Sequence, residues 1–124
     1  MGVFSVAIQV GDLEGRRFEP VEAWVDTGAF YSSVPRALLE SLGVVPHIRE
    51  PFSLADGRVV ESEIGRAFIR VADREEITLV LFAEPESPPL LGAYSLEGLR
   101  LAVDAGAQRL VPMPWLPLFD LLPA

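Results

Sequence analysis

The sequence has no cysteine and no lysine, and His47 is its only histidine. Without cysteine there is no disulfide framework and no thiolate metal site. With one histidine, a multi-histidine metal site within one chain is excluded. A Ser-His-Asp triad would have to run through His47, and no nucleophile-elbow pattern accompanies it. A serine hydrolase is therefore set aside, and His47, after Pro46, is read as a surface or strand residue. The ten basic residues are all arginine, scattered among 18 acidic ones, for a net charge of -8. Phosphate contacts need a clustered basic face, so no nucleic-acid partner is expected. No uninterrupted apolar run reaches the ~18 residues of a membrane span. The apolar tail of residues 110–124 is broken by Pro112, Pro114, Pro117 and Pro123. Met1-Gly2-Val3-Phe4-Ser5 has neither the basic start of a secretory signal nor the myristoylation spacing. The expected location is cytoplasmic.

What is present is enough for one domain with a real core: 124 residues, of which 50% are hydrophobic. The stretch from Val3 to Val10 reads as a strand, and Gly11 to Gly15 as a loop. A second strand runs from Arg16 to Val25, with an edge or bulge expected at Pro20. Tyr31 to Val34 is short and strand-like. Pro35 opens a helix of about two turns, with Leu38, Leu39 and Leu42 on one face and Gly43 as its stop. Ile48 to Leu54 and Arg58 to Val71 form a hairpin around Ala55-Asp56-Gly57, with a bend or bulge predicted at Gly65. Ile77 to Ala83 is a further strand, and Glu84 to Pro89 a loop. Leu90-Leu91-Gly92-Ala93 precedes a single helical turn near Tyr94 to Gly98. Leu99 to Val103 and Arg109 to Val111 flank a turn at Asp104. Many short strands with turn signals mean an all-β, barrel-like domain with one short helix.

The residues with most chemistry in them are Asp26-Thr27-Gly28-Ala29. They follow the apolar run Val21-Glu22-Ala23-Trp24-Val25, so one carboxylate stands where a hydrophobic strand stops and a glycine turn begins. Asp-Thr-Gly is also an ordinary turn signal. Trp24 is expected in the core. Asp104-Ala105-Gly106 lacks the hydroxyl that Thr27 supplies, and Asp104 is read as a turn residue.

The order of parts resembles the retropepsin-like (retroviral-type) aspartic proteases, in particular their small bacterial members. The likeness rests on Val25-Asp26-Thr27-Gly28-Ala29 and on Leu90-Leu91-Gly92-Ala93 about sixty residues later, with a hairpin between them. It extends from about Val3 to Val111. It implies an acid-protease barrel with one catalytic half per chain: a protease domain over residues 1–111 and a proline-rich apolar extension over 112–124. It implies an aspartic endopeptidase with no metal or organic cofactor, acting on a peptide or protein substrate as a homodimer. Asp26 is then the catalytic carboxylate, Thr27 the residue that braces its counterpart across the dimer axis, and Gly28 the sharp turn. Ala29 lies where substrate backbone passes. Ala55, Asp56, Gly57 and Arg58 correspond to the flap tip, and Leu91 and Gly92 to the segment beneath the catalytic loop.

The physical logic stands beside the resemblance. Two carboxylates a few ångströms apart cannot both ionise near neutral pH. They share a proton, so one can activate water while the other donates to the substrate carbonyl. The chain offers one such aspartate, and a twofold dimer supplies the second. Two features depart from the family pattern. The flap tip is charged, and Tyr94 stands where many relatives have an acidic residue. The tail, with Met113, Trp115, Leu116 and Phe119, either covers the core or forms a partner surface. A non-proteolytic peptide-binding or assembly module on the same fold is the alternative function.

Overall fold

The computed structural model describes residues 4–53 and 55–113. Nine strands and two short helices follow in order: β1 (Ser5–Gly11), β2 (Phe18–Asp26), β3 (Ser32–Pro35), α1 (Arg36–Ser41), β4 (Ile48–Ser53), β5 (Val59–Val71), β6 (Arg74–Ala83), β7 (Leu90–Gly92), α2 (Ala93–Gly98), β8 (Leu101–Asp104) and β9 (Arg109–Pro112). The main sheet runs β1-β2-β7-β3-β6-β5-β4, and β1 also pairs with β5. That pairing closes six strands into a barrel and leaves β4 outside it, on β5. This is the retropepsin-like barrel expected from the sequence.

Period-two alternation explains which side chains fill the barrel. On β5, Ala67, Ile69 and Val71 are buried, while Phe68 and Arg70 between them are only half-buried. On β2, Ala23 and Val25 face inward, while Glu22 and Trp24 face out. Leu39 of α1 and Leu91 of β7 are fully enclosed. Each such leucine contributes about 1.5–3 kcal/mol relative to exposure. The fold keeps β2 paired on one side only at Pro20, opposite Gln9 of β1, which fits the edge position that proline requires.

Four expectations are corrected. Gly65 is not a bulge, because the β5–β6 ladder runs through it without a break, Ile64↔Leu81, Gly65↔Val80, Arg66↔Leu79. It is a close-packing point: a Cβ there would lie 3.1 Å from Phe82, Val44 and the Val45 carbonyl oxygen. Secondly, α2 is a second short helix where a single turn was expected. Six residues are too few for a helical period to show, and its burial of Ser95 and Leu96 comes from tertiary packing. Thirdly, Trp24 is 45% exposed and not in the core. Residues two apart on a strand share a face, so Trp24 goes with Asp26 and not with Val25. Fourthly, β6 begins at Arg74, three residues before the predicted start. Val71 pairs with Arg74, and the hairpin needs only Ala72 and Asp73.

Asp104 is a turn residue as read: its Oδ1 accepts the Ala107 N–H at 3.2 Å, between β8 and β9. His47 is exposed. No helix among the described residues is long and apolar enough to cross a membrane. Residues 114–124, with most of the apolar tail, lie outside the described residues, as does Leu54.

Candidate active site

Strand β2 ends at Asp26 because the chain turns there on its own hydrogen bonds. The Gly28 N–H donates to Asp26 Oδ1 at 3.0 Å, and the Ala29 N–H donates to the Asp26 carbonyl at 3.2 Å. Backbone N–H bonds to a carboxylate favour its charged form. Asp26 is half-buried, and Thr27 and Gly28 are exposed. The carboxylate therefore sits at the rim of the barrel, on the outward face of β2.

The segment Leu90–Gly92 lies against this turn. It pairs parallel to β2 in the register Trp24↔Leu90, Val25↔Leu91, Asp26↔Gly92. Beyond it, the Ala93 N–H donates to the Ala29 carbonyl at 2.8 Å and the Tyr94 N–H to the Phe30 carbonyl at 3.0 Å. Gly92 has to be glycine. A Cβ there would fall 2.5 Å from the Tyr31 carbonyl oxygen and 2.9 Å from that of Ala29, and both obstacles are backbone. The two sequence pieces that suggested the family are thus one structural unit. Asp26, Thr27, Gly28, Ala29, Leu91 and Gly92 are brought together.

The hairpin of β4 and β5 carries the other candidates. Its ladder runs from Ile48↔Ile64 to Ser53↔Val59, and Ala55, Asp56, Gly57 and Arg58 form the exposed tip. Asp56 Oδ1 accepts the Arg58 N–H at 3.0 Å, and Oδ2 pairs with Arg58 Nε at 2.7 Å. The Arg58 backbone N–H first, and its guanidinium second, hold the Asp56 carboxyl below its ordinary 3.8. Of the tip residues, Arg58 lines a cavity of about 530 Å³ with Ser33, Phe52, Glu61 and Leu81. Ala55, Asp56 and Gly57 are not among the residues lining it. A second cavity, of about 360 Å³, is lined by Ala29, Phe30, Tyr31, Ser33, Phe52 and Leu81. The two share Ser33, Phe52 and Leu81, so together they make a groove between the loop after Asp26 and the tip end of the hairpin.

Several residues here escaped the sequence reading. Phe30 and Tyr31 form an edge-on pair at 5.0 Å, Phe30 meets Tyr94 at 5.4 Å, and Tyr31 stacks on Phe52 at 6.2 Å. This aromatic row links the loop after Asp26 to the hairpin. Two adjacent aromatics after a glycine turn were the available signal. Beneath the loop, Ser32 and Ser95 hydroxyls lie 2.6 Å apart, and Thr78 is 2.8 Å from Ser95. The signal for Ser32 was its parity with Val34 on β3, which places a serine toward the core. Arg36 bonds Glu63 at 2.7 Å and lies 3.5 Å from Glu84, tying α1 to β5 and to the loop before β7. The Glu63 carboxyl is held below its ordinary 4.5 chiefly by that Arg36 bond.

With this geometry in hand, comparison with known proteins gives a likeness among solved structures. No protein-family profile matches the chain, and no curated protein matches it in sequence. Among solved structures, it is similar to the EIAV protease complexed with the inhibitor HBY-793. The two share 21% identity with a TM-score of 0.56, over 76% of this chain and 85% of that one. At that identity the likeness concerns the fold.

Proposed function

We propose that this chain is one half of an aspartic endopeptidase, active as a twofold dimer. One observation carries the reading: an Asp-Thr-Gly turn at the barrel rim, clamped from below by Leu91-Gly92 and faced by a hairpin across a groove. The fold shared with the EIAV protease supports it. Thr27 and Gly28 are exposed in the single chain, which leaves them available to meet a second copy. An isologous contact would place Asp26 beside Asp26 of the partner subunit.

In that pair one carboxyl is protonated and the other ionised. The ionised oxygen takes a proton from water as the water oxygen bonds to the substrate carbonyl carbon. The protonated carboxyl gives its proton to the carbonyl oxygen, forming a neutral tetrahedral gem-diol. The diol returns a proton, the C–N bond breaks, and the leaving amine picks up a proton from the other carboxyl. Gly28 orients Asp26 through its N–H, and Thr27 braces the axis. Ala29 leaves room for an extended peptide, which Ala55, Asp56, Gly57 and Arg58 cover, while Leu91 and Gly92 support the loop. No metal or organic cofactor is needed for these steps.

The test is digestion of a mixed peptide pool read by mass spectrometry from acidic to neutral pH, with wild type beside Asp26→Asn. Cleavage by wild type alone is expected. Equal cleavage by both would overturn the assignment. The charged flap tip favours a second reading, a peptide-binding or assembly module on the same fold. That reading gains if neither protein cleaves while Asp26→Asn still binds peptides in the groove.

A further inference from the structure

We propose that Ser32 is a positioning residue for the catalytic loop, acting through a buried chain of hydroxyls that runs from Ser32 to Ser95 and Thr78. Its catalytic consequence rests on the peptidase reading above; its structural part does not.

The three side chains come from β3, α2 and β6. Ser32 and Ser95 are 0% exposed and Thr78 is 3% exposed. They lie in an interior otherwise filled by residues such as Val34, Leu91, Leu96 and Leu99. A hydroxyl placed there is costly unless it is bonded. Ser32 Oγ accepts the Gly92 N–H at 3.0 Å. Ser95 Oγ, 2.6 Å away, takes the remaining hydroxyl contact, and Thr78 Oγ1 completes the chain at 2.8 Å. Among the described residues no buried side-chain polar atom lacks a partner.

Gly92 makes this chain more than a core detail. It is the register partner of Asp26, and the Tyr31 and Ala29 carbonyls occupy the space a Cβ would take. The loop from 27 to 31 thus leaves Asp26 beside Gly92 and returns at Ser32, whose hydroxyl holds the same Gly92. Both ends of the loop are referred to one backbone position. Apolar groups of similar shape would leave the buried Gly92 N–H without its acceptor. A hydroxyl chain instead admits few rotamer combinations and fixes its ends. Catalytic geometry tolerates displacements of only about half an ångström, so the function of the chain is to set where Asp26 sits.

The test compares Ser32→Ala, Ser32→Thr and Leu101→Ala with wild type, on a peptide identified by digestion. Leu101→Ala is a core truncation away from the loop. Ser32→Ala is expected to lower kcat ~10-fold or more with KM little changed, since misplacement by ~1 Å costs ~100-fold. It also shifts the acid limb of the pH profile, because the spacing of the two carboxylates sets how they share a proton. Ser32→Thr restores both. Leu101→Ala lowers the unfolding midpoint and leaves kcat and the pH profile per folded enzyme unchanged. A second arm needs no catalysis: backbone amide signals of Gly28, Ala29 and Phe30 broaden in Ser32→Ala and not in Leu101→Ala. Wild-type kcat and pH profile in Ser32→Ala, or unperturbed loop amides, would overturn the proposal. If wild type cleaves nothing, the peptidase reading fails, and the amide arm alone decides what Ser32 does. Should Ser32→Ala not fold, Ser95→Ala keeps the Gly92 bond, removes the next link, and carries the same readouts.

Discussion

Two turns in this molecule are built from nearly the same letters and held in opposite ways. In Asp26-Thr27-Gly28, the carboxylate accepts the N–H two residues on, at 3.0 Å. In Asp56-Gly57-Arg58, the carboxylate does the same at the same distance. Locally the two are one motif, an aspartate capping its own turn. They part at the next level. The first turn is clamped by N–H groups of Ala93 and Tyr94, and Gly92 fits beneath it with no room for a Cβ. The second stands exposed at a hairpin tip and takes its side-chain charge partner, Arg58, from within itself. A carboxylate in a turn is therefore not a site. The tertiary clamp makes the first a fixed point, and no such clamp holds the second among the described contacts.

Asp26→Asn should have the largest effect. On the proposed mechanism it removes the acid–base group, so kcat is expected to fall by ~10²–10⁴-fold or more. The thermal midpoint should stay close to wild type, because Asn keeps the acceptor for Gly28. The equivalent Asp56→Asn should leave kcat within a few-fold. Equal losses in a peptide cleavage assay would erase the distinction between the turns.

Gly92→Ala comes next. Its methyl group meets backbone carbonyls at 2.5 Å and 2.9 Å. Overpacking of this kind costs about 1–3 kcal/mol, occasionally more, and the loop above it must shift. Denaturant unfolding and activity should fall together. Gly57→Ala at the tip also changes a glycine, at φ +90 with nothing within 4 Å of the new methyl. The cost there is backbone strain alone, about 1–2 kcal/mol, with little change in kcat.

Leu91→Ala should be destabilising by about 2–5 kcal/mol, since Leu91 is fully buried on the strand that pairs with the end of β2. Chemical denaturation measures this directly. A loss near zero would mean that the segment is not packed as described.

The smallest effect is electrostatic and belongs to the tip. The folded-state pKa of Asp56 lies below its ordinary 3.8. The contribution of its carboxylate is therefore present above that ordinary value and is lost as pH falls through the folded-state pKa. Because the pair is exposed, its weight on global stability is minor. Hydrogen exchange at the Arg58 amide should be slower in wild type than in Asp56→Ala above pH ~4. The two should converge in stronger acid. A difference that persists there would assign the protection to something other than the carboxylate.

The barrel could be read in the sequence because its strands carry their own signals. Alternation in β2 and β5, the Asp-Gly turn between β4 and β5, and Pro35 before α1 are local features. The paired motifs around Asp26 and Gly92 were also visible, because a glycine demanded by close packing stays glycine in any reading. What was hidden depends on distant residues meeting. Ser32, Thr78 and Ser95 are 46 and 17 positions apart in sequence order, so their hydroxyl contacts leave no local pattern. The groove needed β3, the β4 hairpin and β6 to be placed in space before Phe52 and Leu81 became neighbours. Trp24 was misplaced through an error of parity and not for want of a signal. The shift of Gly65 from bulge to packing point has a similar lesson. The sequence marks a glycine, and only the neighbours say whether it bends the strand or admits another chain segment.

The most direct test of the paired site is subunit mixing. Wild type and Asp26→Asn are combined at varied ratios, allowed to exchange subunits, and assayed for peptide cleavage. If each site needs Asp26 from both subunits of a twofold dimer, activity follows the square of the wild-type fraction, so an equal mixture keeps about a quarter. Activity proportional to the wild-type fraction, about a half in that mixture, would show that each chain acts alone and would contradict the shared carboxylate pair.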